Sequence, residues 1–262
     1  MKFLNYFIGE LPIVIVAAHN GLIRSLKLPK RSLLGSILEN DVRTRNIAYN
    51  VSKYLQSNLK LRPYMIINNI HRKFLDLNRD IMVGGEQFTT RHLWLQFHQK
   101  LDFLIKHAIN KFGFCILFDI HGNQKTTKMI QLGYGTRMKD LDNKNTKNNT
   151  LKYISKFHNT LDIIIGKKSL GNYIKELETT PSPSLSNSTL IKNVKERFYY
   201  NGGYIIRTYS KKYSIDCIQI EISKDLRSVQ NIEYTSKILG NAIIDFFFHN
   251  YYPILNKNKL FL

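Results

Sequence analysis

The sequence predicts an α/β domain built on a largely parallel sheet with helices on both faces, and three observations predict it. Apolar runs of strand length alternate with segments of helical period through the first half of the chain. Several of those runs end abruptly in histidine, acid or glycine: Phe114 to Ile120 leads into His121-Gly122, and Ile13 to Ala18 leads into His19-Asn20-Gly21. The C-terminal ends of parallel strands are where open α/β sheets place their sites. Finally, 262 residues with 43% hydrophobic content can bury a sizeable core. Candidate site residues come from both ends of the chain, so one domain over residues 1–262 is expected.

Ile13 to Ala18 is read as the first core strand. Glu39 to Leu59 carries Val42, Ile47, Val51 and Leu55 at helical spacing, after a loop rich in Lys, Pro and Ser. Pro63 permits a turn into a second strand, Tyr64 to Ile70, which runs into His71-Arg72 and then Asp76-Leu77-Asn78-Arg79. Thr89 or Thr90 can cap a long helix through Trp94, Phe97, Leu101, Leu104 and Ala108, and Gly113 stops it. Phe114 to Ile120 is the third strand. Right-handed crossovers follow from this alternation.

Two stretches break the rhythm. Residues 140–150 (DLDNKNTKNNT) lack an apolar face and read as an exposed loop; residues 179–189 (TTPSPSLSNST) are a second loop. Between them Leu161 to Ile165 reads as a short strand and Leu170 to Leu177 as a helix. After Gly202-Gly203 and the segment Tyr204 to Tyr209 comes the strand Ile215 to Ile220, which runs on to Glu221. An amphipathic helix over about 233–250 turns Ile238, Ala242, Ile243 and Phe246 to the core.

The 39 Lys and Arg against 19 Asp and Glu give a net charge of +20. A basic surface can bind nucleic acid or steer anions to a cleft. Here the basic residues are spread along the chain, no nucleic-acid motif accompanies them, and the abundance of Asn, Ile and Lys matches the drift of an AT-rich coding sequence. That argues against a nucleic-acid partner. Cys115 and Cys217 each lie inside an apolar run, as core thiols in a reducing compartment do. No apolar run approaches the roughly 20 residues that span a bilayer, and Glu10 and Pro12 interrupt the N-terminal segment, whose best apolar run leads into His19 and reads as a core strand and not a signal peptide. A cytoplasmic protein without a membrane partner is expected; nothing in the sequence fixes its oligomeric state.

The histidines and carboxylates at separate strand ends suggest one metal-dependent hydrolytic site. Catalytic zinc takes three ligands from His, Asp, Glu or Cys and leaves a position for water, lowering its pKa toward roughly 7. Amide hydrolysis also needs a carboxylate to carry the water's proton to the leaving nitrogen, and a cation to steady the oxyanion. His19 and His121, each close to a glycine, are the natural imidazole ligands; Asp41 can complete the set from the start of the helix near Glu39. Glu221, in a nearly all-apolar strand, is the candidate general base. Arg72, Asn78, Arg79 and Arg207 can clamp a substrate carboxylate and polarise the carbonyl.

The ordered series His19-Asn20-Gly21, Asp41 to Ala48 (DVRTRNIA), His71-Arg72 with Asp76-Leu77-Asn78-Arg79, Asp119-Ile120-His121-Gly122, Gln131-Leu132-Gly133, Gly202 to Arg207 (GGYIIR) and Ile218 to Ile222 (IQIEI) resembles the N-formylglutamate amidohydrolase family. The match runs from about Pro12 to Leu226. The resemblance implies a single-domain, three-layer phosphorylase/hydrolase-like fold, related to zinc carboxypeptidases and to the deacylases of succinylglutamate and aspartate. It also implies one Zn2+ held by His19, Asp41 and His121, a carboxylate clamp of Asn78 and Arg79, Glu221 as base, and a small anionic N-acyl amino acid as substrate. The sequence departs from the family where Asn20 follows the first histidine, and a basic insertion separates His19 from Asp41, so Glu39 is the alternative carboxylate ligand. The Asn-rich and Ser-rich loops are expected at the rim of the cleft. A carboxypeptidase-like peptidase and a family member that has lost catalysis and serves as a binding or structural protein remain as other readings.

Other conspicuous residues read as structural. His92, His98 and His107 do not stack on one helix face at ligand spacing. Trp94 and Phe246-Phe247-Phe248 read as core or interface. For His71, packing and substrate contact stand equally.

Overall fold

The computed structural model describes residues 2–25, 27–126, 128–174, 180–182 and 200–257. Among these residues seven strands form one mixed sheet: β1 (Leu4–Phe7), β2 (Ile13–Ala17), β3 (Tyr64–Asn68), β4 (Ile116–Gly122), β5 (Met129–Gly133), β6 (Thr180–Ser182) and β7 (Asp216–Ile222). Their order is β1-β3-β2-β4-β7-β5-β6. The central strands β3, β2, β4 and β7 are mutually parallel, whereas β1 on β3 and β5 on β7 are antiparallel.

The described helices are α1 (Thr44–Leu59), α2 (Ile81–Gly84), α3 (Phe88–Phe112), α4 (Met138–Asp142), α5 (Thr160–Ile164), α6 (Leu170–Ile174), α7 (Tyr204–Tyr213), α8 (Ile232–Asn250) and α9 (Tyr252–Lys257). Strand side chains alternate between faces, and each face has its own core. Ile13, Ile15, Phe118, Ile120, Ile218 and Ile220 pack with Ile47 and Val51 of α1, Leu170 of α6 and Ile238, Ile243 and Phe246 of α8. Val14, Val16, Leu117 and Cys217 pack on the opposite side with Phe97, Leu101 and Leu104 of α3 and Ile205 and Tyr209 of α7. This is the expected three-layer α/β architecture with helices on both faces. Cys115 and Cys217 are free, buried thiols.

Several elements differ from expectation. The helix expected from Glu39 starts at Thr44, because Asp41 to Thr44 forms a turn: the Thr44 amide and hydroxyl both donate to the Asp41 carbonyl, and Arg43 sits at φ 68°. Leu161 to Ile165 is helical, not a strand. Asn159 caps it by accepting from the amides of Leu161 and Asp162, and that cap outweighs the β-prone isoleucines. The long helix begins at Phe88, where Gln87 and Thr90 exchange reciprocal bonds; Thr90 closes the cap from inside the first turn. Gly113 ends it at φ 78°, as expected. Tyr204 to Tyr209 is the start of a helix. Leu4–Phe7 forms an edge strand ahead of the strand read as first; too short and half-exposed to carry a period, it is defined by pairing with β3.

The loop over 140–150 is partly ordered by α4, and Leu141 and Thr150 are buried. It rejoins the sheet where Thr150 bonds Cys217 and Leu151 bridges Asp216, at the start of β7, and it does not line the cleft. Its expected place on the rim is therefore corrected. Of the second loop, Thr180–Ser182 pairs with β5 and 183–189 lie outside the described residues, as do 175–177 of the predicted helix.

Candidate metal centre

The site lies at the C-terminal ends of β2, β4 and β7, where the apolar core turns polar. His121 and Glu221 are direct neighbours across β4 and β7, two residues beyond the paired Asp119 and Gln219. Each strand places its two residues on one face because side chains repeat every second position. His19 follows β2. The turn carrying Asp41 is tied to it by the Asp41 amide donating to the His19 carbonyl at 3.1 Å and the Arg43 amide donating to Asn20 Oδ1 at 2.8 Å. Asn20, a departure from the resembled family, thus secures the turn. Gly21 lets the chain pass Ile70: a Cβ there would collide with the Ile70 carbonyl.

His19, Asp41 and His121 are all buried, and one ligand atom from each lies within 4.8 Å of the others. Asp41 Oδ2 is 3.3 Å from His19 Nδ1 and 3.1 Å from His121 Nδ1. The outer nitrogens face other acids: His19 Nε2 lies 2.7 Å from Asp76 Oδ1, and His121 Nε2 lies 2.8 Å from Asp119 Oδ2. With a proton kept on each Nε2 to face those carboxylates, an ion taking the place of the Nδ1 protons would meet both Nδ1 lone pairs together with the Asp41 oxygen. Three electron-rich atoms converging in a buried space fit a cation, and two imidazoles plus a carboxylate are a donor set that zinc accepts. Glu39, the alternative ligand, is exposed on the cleft wall, and the compact group draws its carboxylate from Asp41.

Electrostatics follow from burial and neighbours. Burial alone would raise the Asp41 carboxyl, but bonds from His121 and His19 pull it below its ordinary range. Burial would lower His121, but Asp119 holds it well above the usual imidazole range. Glu221 is pushed up to about 7 by burial, against the pull of His121.

Around this core the predicted residues separate. Arg72 lines the cleft but is engaged twice, its Nη1 3.1 Å from Asp41 Oδ1 and its Nε 3.0 Å from Asp76 Oδ2. Asn78 is buried, with Nδ2 3.2 Å from His121 Nε2 and Oδ1 accepting from the Ile205 amide at 2.8 Å. Arg79 is exposed on the cleft wall, its backbone fixed by Trp94 Nε1 donating to the Arg79 carbonyl at 3.1 Å. Arg207 is not on the cleft. It folds back to Gly202 O and Asn201 Oδ1, bracing the loop that does line it, because position 207 lies on the outward side of α7. His71 is also outside the cleft, its Nδ1 accepting from the Lys73 amide at 3.1 Å, which favours packing. His98 is buried between Tyr209 and the Leu77 carbonyl, and Trp94, Phe246 and Phe247 are core; Phe248 is partly exposed.

Sequence reasoning did not assign roles to Asp76, Asp119 and Gln219. Asp76 is fully buried and joins His19, Arg72 and the Asn78 amide. Asp119 carried a legible signal, since Asp and His two apart on a strand share a face. Gln219 accepts from the Gly203 amide at 2.8 Å, so its Nε2 points at Glu221 Oε1, 2.9 Å away. The cleft encloses about 580 Å³ and is also lined by Ile37, Asn123, Gln124 and Tyr200.

No protein-family profile matches the chain, and no curated protein matches it. Solved structures do. The gene product Atu2144 from Agrobacterium tumefaciens superposes with a TM-score of 0.57 at 12% identity, over 93% of this chain and 94% of that one. N-formylglutamate amidohydrolase from Ralstonia eutropha JMP134 superposes with a TM-score of 0.58 at 12% identity, over 94% and 97%. At that identity the likeness is one of fold, and the chain has the fold of N-formylglutamate amidohydrolase along nearly its whole length.

Proposed function

We propose that this protein is a zinc-dependent amidohydrolase that cleaves the amide bond of a small N-acyl amino acid. The observation that carries the reading is the convergence of His19 Nδ1, His121 Nδ1 and the Asp41 carboxylate beside a buried Glu221, in a cleft of metabolite size. The fold shared with an N-formylglutamate amidohydrolase supports it. A zinc ion held by His19, Asp41 and His121 would supply Lewis acidity, polarising the scissile carbonyl and acidifying water.

The chain's own residues account for the rest. Glu221, with its pKa near 7, takes a proton from water as the water oxygen adds to the carbonyl carbon, and returns it to nitrogen as the C–N bond breaks. Gln219 donates to one Glu221 oxygen and leaves the other for that proton. Arg72 keeps N–H donors beyond the two it gives to Asp76 and Asp41, and these face developing negative charge on the carbonyl oxygen. Arg79, on the same loop as Asn78, takes the substrate carboxylate.

The test is metal analysis paired with an N-acyl amino acid screen, with and without a chelator. About one zinc per chain, turnover abolished by chelation and restored by zinc, and a loss of roughly 10²–10⁴-fold in kcat for Glu221→Gln are expected. Protein that binds no divalent cation, or a Glu221→Gln variant with full turnover, overturns the proposal.

A further inference from the structure

The cleft's charges are unevenly committed. Arg72 is buried against Asp41 and Asp76, so its charge is already balanced within the protein. Among the described residues lining the cleft, Arg79 is the remaining arginine or lysine; it is exposed, and no described acid pairs with its guanidinium. On the same lining, Glu39 is an exposed carboxylate with no hydrogen bond or ion pair to another described residue, beside the buried carboxylates of Asp41 and Glu221. The other described lining residues, the two histidines apart, are of uncharged types. A ligand meeting these walls finds one place for an anion and one for a cation.

We infer that the substrate of this site bears a single carboxylate and a cationic group, so that a basic N-acyl amino acid, and not an acyl glutamate, is its complementary ligand. The inference rests on the proposed function for the carboxylate and the acyl group, and adds the charge of the side chain. With the α-carboxylate on Arg79, the second carboxylate of a glutamate finds no free cation on the described walls and meets Glu39 as a like charge. A lysine or arginine side chain meets Glu39 as a partner. The overall charge of +20 does not reverse this preference: charges more than about 8–10 Å away are screened at physiological ionic strength, whereas Glu39 lines the cleft itself. Exposed pairs are individually weak, so attraction for one ligand and repulsion of the other together give a selectivity of about tenfold.

Equilibrium binding to the zinc-supplemented full chain at 0.15 M salt tests this, using Nα-acetylarginine, Nα-acetylglutamine and Nα-acetylglutamate. The expected order is arginine, then glutamine, then glutamate, with about tenfold between the extremes. Glu39→Gln collapses that ratio toward one, and Glu39→Lys inverts it. Glutamate bound as tightly as arginine, a ratio unchanged in Glu39→Gln, or no binding of any of the three overturns the inference. Glu39-dependent binding of the arginine derivative without hydrolysis sinks the amidohydrolase reading instead and leaves the charge assignment standing.

Discussion

Asp76 and Asp119 perform the same service for the two imidazoles but sit in different charge surroundings, and replacing each by asparagine separates ion binding from folding. Each carboxylate faces a histidine Nε2, at 2.7 Å and 2.8 Å respectively. Loss of such an outer partner lowers metal affinity by about 10–100-fold, so both Asp76→Asn and Asp119→Asn should weaken zinc to that extent. Their costs to stability should differ. Asp76 also balances Arg72 at 3.0 Å and Arg31 at 3.6 Å, both buried, whereas Asp119 has His121 as its ionic partner. Arg72 keeps Asp41 at 3.1 Å and Arg31 keeps Glu86 at 3.8 Å, so losing Asp76 leaves two buried cations under-compensated and costs up to about 3–5 kcal/mol, against about 1–3 kcal/mol for an unsatisfied polar group. The pH dependence has a definite sign: Asp76 is held well below its ordinary carboxyl range, despite burial, by His19, Arg72 and Arg31. Its stabilisation is therefore complete above about pH 4 and disappears as pH falls further toward the native pKa. Denaturant unfolding of metal-free protein and competition with a chromophoric chelator measure the two quantities. Equal stability losses in the two variants, or wild-type zinc affinity in either, would refute the reasoning.

Three further predictions concern other parts of the structure. Gly203→Ala should lower kcat/KM about 10–100-fold with the fold intact, because the new methyl overlaps the Asn78 amide while φ −100° suits any residue; circular dichroism and kinetics check it. Gln219→Leu should reduce kcat more than it raises KM, since it releases Glu221 and leaves the Gly203 amide unpaired; a change confined to KM contradicts that role. Burial raises the Asp216 carboxyl to about 7, so the native state holds a proton that the unfolded chain releases near pH 4. Stability should fall by as much as about 4 kcal/mol as pH rises from 4 to 7, and Asp216→Asn should flatten that slope.

The central strands were legible because each is a buried apolar run closed by a polar signal, and the long helix because it has a period and a glycine stop. The candidate donors were legible because His19 and His121 lie at strand ends and Asp41 lies just ahead of a helix. What failed was local chemistry that apolar pattern does not encode. The Asn159 cap turned an isoleucine-rich segment into a helix, the Asp41–Thr44 turn delayed another, and β1 exists through its partner. The bond between Asp76 and Arg72 is local, four residues apart, but the grip of Asp76 on His19, 57 positions away, is a tertiary fact that no local spacing encodes. The position of Arg207 depended on the rotation of α7, which four residues of sequence do not fix.

Clamping each imidazole from behind has a kinetic consequence. If the proposed metal site is right, the donor triangle is set before any ion arrives, so that once the Nδ1 protons have left, loading would require little rearrangement of the protein and be limited by how fast the incoming cation sheds its water. Association rates across a series of divalent ions should then follow their water-exchange rates, and the amide spectra of empty and loaded protein should differ only within a few residues of the three donors.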